Sequence, residues 1–594
     1  MTPVARARVC RVQPDVPAVH RAFDYSLPVA LAPDVEVGTI VRVPLHGRRV
    51  RGWVLDADVA VTDIEGARLR DVLAVVSAGP PEEVVALCRW AAWRWAGPLA
   101  TMLRAASPAN VVGPGAGPEV ETAVYPPADA RSDARERALL TVVAPDADLV
   151  TLAPAALASE GSTLVLDPDG ARAARLVRAL EDRGRDVVLF SSEEGAAART
   201  AAWDRARAGA CVVVGGRAAV WAPLPDLVRV VLLDEADEAL EEERAPTWNA
   251  REVALERARA AEASVGVLTP SPTVDVLVAL HETPVPAPVP WPRTIVVDPR
   301  DDEPGRRLLT SVLAHELHRC VDAGRRAVCV LNRRGRARLL ACRTCRELAR
   351  CERCGATVEE VDGTLVCARC ATARPLVCVH CHATRFRALR PGVAGARDEL
   401  ASLLPRATVS AVDAATGEVA DADVLIGTEA VLHRIRHAGL VAFLELDQEL
   451  LAPRARAAEQ AQWLLVRAAR LVGPRTAGGV LLLQTRVPDH EVVIAARDGT
   501  PLVVAETERA RRRELGWPPF GGVAELRGDT VAVAAACVAL REAPVRVLGP
   551  VADGTRALVR AVSADALADA LARPAVDAAH ALGRLRVDVD PRRA

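Results

Sequence analysis

Four Cys-x-x-Cys pairs stand close together in this chain: Cys342/Cys345, Cys351/Cys354, Cys367/Cys370 and Cys378/Cys381. No other feature limits the local fold so tightly. A two-residue gap lets both sulfurs of one tight turn face one ion, and four thiolates complete a closed tetrahedral zinc site. The run between Cys354 and Cys367 contains Asp362-Gly363, which suits the tight turn of a hairpin. Such a hairpin brings Cys351/Cys354 beside Cys367/Cys370, and the outer pairs close around them. The expectation is two nested zinc sites, one from Cys342, Cys345, Cys378 and Cys381, the other from Cys351, Cys354, Cys367 and Cys370. With no open coordination position, both zincs would be structural, folding a segment too small for a core of its own. His380 and His382 flank Cys381 and are expected to face solvent, because the thiolates already satisfy both ions.

Clustered thiols of this kind belong to a reducing compartment. The six other cysteines (Cys10, Cys88, Cys211, Cys320, Cys329, Cys537) are expected to be buried small hydrophobes. From Cys342 to Arg390 nine arginines stand against five acids, and two tetrathiolate zinc centres add about −4. The block is thus close to neutral and fits protein contact better than DNA contact. The whole chain has a net charge of −2, so any DNA contact must come from local arginine clusters. No apolar run approaches the ~18 residues of a membrane span, and Met1 to Arg11 lacks the apolar core of a signal peptide. A cytoplasmic protein with no membrane role is expected, and a monomer.

A chain of 594 residues should hold several domains. Residues 1–108 begin with strand-like segments, Gly38–Pro44 and Arg51–Leu55, followed by helical spacing near Glu82–Trp95. Residues 109–135 form a Gly/Pro/Ala linker. From 136 to 290, short apolar strands alternate with helical stretches, the pattern of a parallel sheet with crossover helices. A second alternating segment covers 291–341 and 387–500, interrupted by the cysteine block at 342–386. Residues 501–594 make a last segment, with strand-like Val545–Leu548, Ala557–Val562 and Leu585–Val589. No sequence repeat is visible.

Several phrases then carry a specific resemblance. Leu331-Asn332-Arg333-Arg334-Gly335 precedes the cysteine block, and Phe23-Asp24-Tyr25 precedes Val41-Arg42-Val43-Pro44. Pro518-Pro519, Leu548-Gly549-Pro550 and Asp588-Val589-Asp590-Pro591 follow near the C-terminus. In these phrases the chain resembles the PriA family, the primosomal (replication restart) helicases of bacteria, nearly end to end. The resemblance implies a multidomain α/β fold: two RecA-like parallel-sheet lobes with an inserted two-zinc ribbon block, a β-rich N-terminal DNA-binding domain and a small α+β C-terminal domain. The family's winged-helix region would fall in the linker, which is too short to hold one. The family's N-terminal domain binds the free 3′ end of a nascent strand, and the matching positions are Phe23, Asp24, Tyr25, Gly38 and Arg70. An aspartate can accept from a terminal hydroxyl and an aromatic can stack on the end base. On the residues alone, Phe23 and Tyr25 are equally core residues and Asp24 a turn residue. Arg48, Arg49 and Arg51, near Trp53, are a plausible phosphate patch. Arg511–Arg513 is either another or a solvated helix face.

The chain departs from the family in its motor. It contains no lysine; all 75 basic side chains are arginine. ATP-driven motors place a lysine on the nucleotide phosphates at the end of a glycine-rich loop, and bulky planar arginine is a poor substitute there. The corresponding loop, Ala144–Val150, has neither glycine nor lysine, and Asp146 and Asp148 would repel a triphosphate. Asp234-Glu235 remain where such motors hold Mg²⁺; without the loop they read as acidic residues at a sheet edge. Gly266–Pro270 keeps only part of the family's coupling motif, and Val466–Gly473 lacks its glutamine and Gly-Arg repeat. No catalytic residue and no ATP or Mg²⁺ are therefore expected. The resemblance further implies forked DNA with a 3′ end, primosome proteins, a helicase loader and single-strand-binding protein as partners. The expectation is a replication-restart protein that binds forked DNA without hydrolysing ATP. The alternatives are an active ATP-dependent 3′-5′ DNA helicase, and a zinc-dependent protein scaffold without DNA binding.

Overall fold

The structure is a computed structural model describing residues 8–591, except 17–18, 20, 61–68, 114–138, 282–286, 303–307, 332–339, 368, 389–392, 413–418 and 552. Most of the expected linker and the phrase Asn332–Gly335 lie outside the described residues. The chain divides into two compact units. One joins Met1–Thr141, Asp148–Leu268 and Pro518–Pro591; the other joins Val142–Ala147, Thr269–Trp517 and Arg592–Ala594. Among the described residues no helix is long and apolar enough to cross a membrane.

In the first unit, β1 (Arg8–Pro14), β2 (Phe23–Leu27), β3 (Ile40–Leu45), β4 (Arg48–Asp56) and β5 (Ala74–Ser77) form an antiparallel sheet in the order β2-β1-β4-β3-β5. Alternation sends Cys10, Val12, Tyr25, Leu27, Val41, Val43 and Val54 into one apolar core. The bridge Ser26–Asp71 curls the β2 edge back towards the residues preceding β5. Helices Glu82–Arg94 and Leu99–Ala106 follow.

Next come β6 (Leu139–Val142), β7 (Ser162–Leu166), β8 (Val187–Phe190), β9 (Val212–Gly215), β10 (Leu227–Leu233) and β11 (Ser264–Thr269), in the order β6-β11-β10-β7-β9-β8. The pairings of β7, β8, β9, β10 and β11 are parallel. Of these, β7, β9 and β10 lie inside the sheet and are largely apolar on both faces, as strands covered by helices on both sides are. The C-terminal sheet, β24-β25-β23-β26, uses β23 (Gly522–Gly528), β24 (Arg546–Leu548), β25 (Arg556–Ala561) and β26 (Leu585–Val589). Side chains tie the three pieces together. Arg94 pairs with Glu252 at 3.1 Å and with Asp590, Trp93 Nε1 donates to Asp569 at 3.0 Å, and Thr247 donates to Asp588 at 2.8 Å.

The second unit has its own six-stranded sheet: β12 (Arg293–Val297), β13 (Ala327–Val330), β19 (Val409–Val412), β20 (Val424–Gly427), β21 (Leu440–Phe443) and β22 (Val480–Gln484). Its order is β12-β22-β21-β13-β20-β19. Strand for strand, this is the order of the first parallel sheet. The likeness reaches single residues. Gly215 ends β9 opposite Phe190, and a Cβ there would lie 2.2 Å from the Phe190 carbonyl oxygen. Gly427 ends β20 opposite Val412 and would meet the Val412 oxygen at 2.1 Å. The molecule is thus built on a duplicated lobe that the sequence does not display as a repeat.

Between β13 and β19 the second lobe carries the cysteine block. It contains the pair β14 (Leu340–Cys342) and β18 (Phe386–Ala388), and a three-stranded sheet of β15 (Val358–Val361), β16 (Thr364–Cys367) and β17 (Ala373–Pro375). Arg511–Arg513 is neither a free patch nor a wholly solvated face. Arg512 is buried and bonded to Glu459 at 2.6 Å and Glu508 at 3.3 Å, while Arg511 reaches Glu491 at 2.7 Å.

Candidate functional site

The eight cysteine sulfurs gather as two quartets, Cys342/Cys345/Cys378/Cys381 and Cys351/Cys354/Cys367/Cys370, each with its sulfurs within 4.8 Å of one another. Asp362 and Gly363 both take positive φ, 47° and 75°, as a tight hairpin turn requires. The turn joins β15 to β16 and sets the inner quartet side by side. All four Cys-x-x-Cys turns share one geometry. The amide after the second cysteine donates to the carbonyl of the first, at 3.0 Å for Arg346 and 2.9 Å for Gly355, Ala371 and His382. Those four residues all lie in the left-handed region, φ 58–73°. Three are not glycine, so the turn tolerates a strained backbone to aim both sulfurs one way. Sulfur pairs such as Cys342–Cys381 and Cys354–Cys367 stand 3.5 Å apart, well beyond a disulfide bond. Zinc–sulfur bonds of about 2.3 Å in a tetrahedron space sulfurs about 3.8 Å apart. Each quartet can therefore hold a metal ion. His380 and His382 are exposed, and the six other cysteines are buried.

The inner quartet is fixed to its lobe. Arg369, between Cys367 and Cys370, donates to Cys354 O at 3.3 Å and Ala452 O at 3.4 Å. Thr357 N donates to Leu451 O at 2.9 Å.

The Asp234-Glu235 pair has a different chemistry. Asp234 and Glu235 follow β10, an interior strand; both are buried, so the reading of a sheet-edge pair is corrected. Arg172 donates to Asp234 at 2.7 Å and chelates Asp167 through Nε and Nη2 at 2.6–3.1 Å. Burial alone would lower the Arg172 pKa, but the Asp167 hydrogen bonds and the Asp234 charge hold it above the usual arginine value. Arg251 Nη1 reaches the Glu235 carboxylate at 3.2 Å and its carbonyl at 3.1 Å. Arginine cations thus stand where a metal ion would need these carboxylates. In the loop before the next helix, the Asp148 side chain accepts from Val150 N at 3.2 Å and from Thr151 Oγ1 at 2.8 Å. The helix it caps, Leu149–Leu152, is a single turn. A carboxylate of the chain itself occupies the anion position of that helix start. In the second unit, Arg470 Nε donates to Pro145 O at 2.8 Å, and Arg467 lies against His433.

The N-terminal candidates are held in different ways. Tyr25 is buried, and its hydroxyl donates to Pro44 O at 3.2 Å; it belongs to the core. Phe23 is half-buried, with Arg21 over its ring at 4.8 Å. Asp24 lies in strand β2 and is gripped by Arg11, Nε to Oδ1 2.8 Å and Nη2 to Oδ2 3.2 Å. Charge composition alone does not reveal that grip; the antiparallel register, Arg11 opposite Asp24, does. Gly38 has φ +88° and would bring a Cβ to 1.7 Å from Pro80 O, so only glycine fits. Arg70 is exposed, and its carbonyl accepts from Ser26 N at 3.0 Å. Trp53 is buried, with Nε1 on Ser107 Oγ at 2.8 Å, and takes no part in a surface patch.

Known proteins place this arrangement. Residues 11–108 match the family described as the 3′DNA-binding domain (3′BD). The protein called probable replication restart protein PriA in Mycobacterium tuberculosis is 32% identical over 579 residues, covering 89% of this chain and 87% of its own. Replication restart protein PriA of Treponema pallidum is 28% identical, over 62% of this chain and 60% of its own. That of Bacillus subtilis is 26% identical, over 61% and 49%. With the N-terminal domain matched, two parallel-sheet lobes in series and the cysteine block set into the second, the chain belongs to the PriA family.

Proposed function

We propose that this protein binds forked DNA at a 3′ end and serves replication restart without hydrolysing ATP or unwinding DNA. One observation carries the second half of this reading: Asp234 and Glu235 are buried, and each is bonded to an arginine of the same lobe. A Mg²⁺ ion would have to displace Arg172 and Arg251 from a dry site, leaving cations buried without partners. The Asp148 cap adds a second barrier, because a phosphate would meet a carboxylate there. The match to the 3′DNA-binding domain supports the first half.

Under this reading Phe23, Asp24, Gly38 and Arg70 border the DNA end, with Tyr25 bracing the wall behind them. The two quartets hold zinc, which supplies the cross-links that fold the block. The six segments read from the sequence act as a DNA-binding domain, a linker, two inactive lobes, a zinc block and a C-terminal domain. Protein partners, such as a helicase loader and single-strand-binding protein, dock on the near-neutral zinc block and elsewhere. The test is steady-state ATP turnover with forked DNA present. No DNA-stimulated turnover is expected. Turnover that is stimulated by the fork and abolished by Asp234→Asn would overturn the reading in favour of an active helicase. Absence of fork binding at low salt would instead favour a protein scaffold.

A further inference from the structure

We infer that the outer face of the β3–β4 hairpin is a seat for the phosphate backbone of double-stranded DNA. This rests on the reading above that the protein binds DNA, and names a surface and a strand state for it. The two strands run in strict register: Arg42 opposite Arg51, Pro44 opposite Arg49, Leu45 opposite Arg48. Directly opposed like charges destabilise an antiparallel pair. Arg42, Arg49 and Arg51, which alternation puts on one face, are all exposed, and among the described residues none of the three makes an ion pair. The register also sets Asp15, at the end of β1, beside Arg51, through Asp15 N to Arg51 O at 2.7 Å. The Asp15 carboxylate, however, is taken by Arg104. The fold therefore holds a set of cations together and does not neutralise it; a polyanion would.

The opposite faces of the same strands are turned to the protein interior, with Val41, Val43 and Val54 buried in the apolar core. The turn is stiff. His46 and Gly47 both take positive φ, 46° and 78°, the geometry of a two-residue hairpin turn. A two-stranded ribbon of this kind fits the major groove of a duplex. Single-strand sites add exposed aromatic platforms for the bases. This hairpin offers none, because Trp53 is turned inward onto Ser107. Cations without a stacking ring fit phosphates of a duplex arm.

The experiment is the salt dependence of binding by the full chain to a blunt duplex and to a single-stranded oligonucleotide. Each phosphate contact contributes about 0.9 to the slope of log K against log salt on duplex DNA. Arg42→Ala, Arg49→Ala and Arg51→Ala together should make the duplex slope shallower by about 2.7, each single variant by about 0.9, and the single-strand slope should not move. The triple arginine-to-lysine variant should keep the full duplex slope, which separates lost charge from lost fold. An unchanged duplex slope in the triple alanine variant overturns the inference. So does a loss confined to the single strand, which would assign the arginines to unpaired DNA. Failure of the unmutated protein to bind either DNA at low salt would defeat the underlying reading instead, and is seen before any variant is made.

Discussion

The two parallel-sheet lobes share one strand order and differ in what hangs on it. In the first, the connection from β7 to β8 is a single helix, Gly170–Glu181, and that helix supplies Arg172 to Asp167 and Asp234. In the second, the equivalent connection from β13 to β19 swells to hold both cysteine quartets. Even the charge at the strand ends is handled alike. After β21, Glu445 and Asp447 are bound by Arg486 at 3.0 and 2.9 Å, much as Asp234 is bound by Arg172. One scaffold thus tolerates opposite treatments of one crossover. Compacted, it delivers a cation that closes an acidic site; expanded, it hosts a block held by its own sulfurs. Loops at the C-terminal ends of parallel strands are where such folds vary with least cost to the core.

The largest expected effect lies in the expanded crossover. Cys351→Ser should reduce bound zinc from two ions per chain to one, keep the outer quartet filled, and loosen the packing of Thr357 on Leu451. Structural zinc contributes on the order of 10 kcal/mol to small modules, so the inner hairpin should become sensitive to protease. Bound metal measured after gel filtration checks this, and loss of both ions would show that the quartets fold as one. Next, Arg172→Ala should cost about 3–5 kcal/mol, because it leaves two buried carboxylates without their cation. Urea unfolding reads that loss; a cost below about 1 kcal/mol would place the site in the class of exposed ion pairs. Gly215→Ala and Gly427→Ala probe the shared scaffold itself. Each Cβ would press on a backbone carbonyl, so each should cost about 1–3 kcal/mol, and clearly unequal costs would limit the likeness of the lobes to their topology. The smallest effect is expected at the end-binding residues. Sequence alone suggests that Asp24 repels a 3′-phosphate and favours a 3′-hydroxyl. Arg11 offsets that charge, so the unmutated protein should distinguish the two ends only weakly. Arg11→Ala should restore a hydroxyl preference of about tenfold, roughly 1.4 kcal/mol, in fork binding at fixed salt. A strong preference already present in the unmutated protein would mean that Arg11 does not shield the carboxylate.

Much of this fold is legible in the chain. Interior strands such as Val212–Val214 and Val230–Leu233 announce themselves because both of their faces are apolar. The nested quartets follow from spacing and one Asp-Gly turn. Strand β12, a sheet edge directly after a proline-rich stretch, gives a weaker signal. Strand β23 is hidden by Glu525 at its centre, a charge that marks a surface residue in sequence. In the structure Glu525 is wholly buried against Arg527 and Arg556. The same blindness covers the acidic pair after β10. Asp234 and Glu235 are visible, but their partners lie 62 and 16 residues away and are set by the sheet, not by any local pattern. Arg511–Arg513 fails for the mirror reason: a run of like charge says nothing of which members turn inward. The duplication of the lobes is invisible because topology can persist with only apolar character and a few tight glycines retained.

The threading of the first unit has a consequence for how the protein is made. Its second and third pieces are separated by almost all of the other unit, and Asp590, the partner of Arg94, stands at the very end of the described chain. On the ribosome the contiguous Thr269–Trp517 stretch can close as soon as it emerges, whereas the first unit must wait for Pro518–Pro591, which brings Asp590 to Arg94. A chain interrupted between Trp517 and Asp590 would therefore keep the unit with the two cysteine quartets sound and leave the unit with the N-terminal sheet short of its third piece. Such a product would be prone to capture by quality-control proteases, which makes the joining of Pro518–Pro591 to the earlier pieces the late, exposed step in folding that unit.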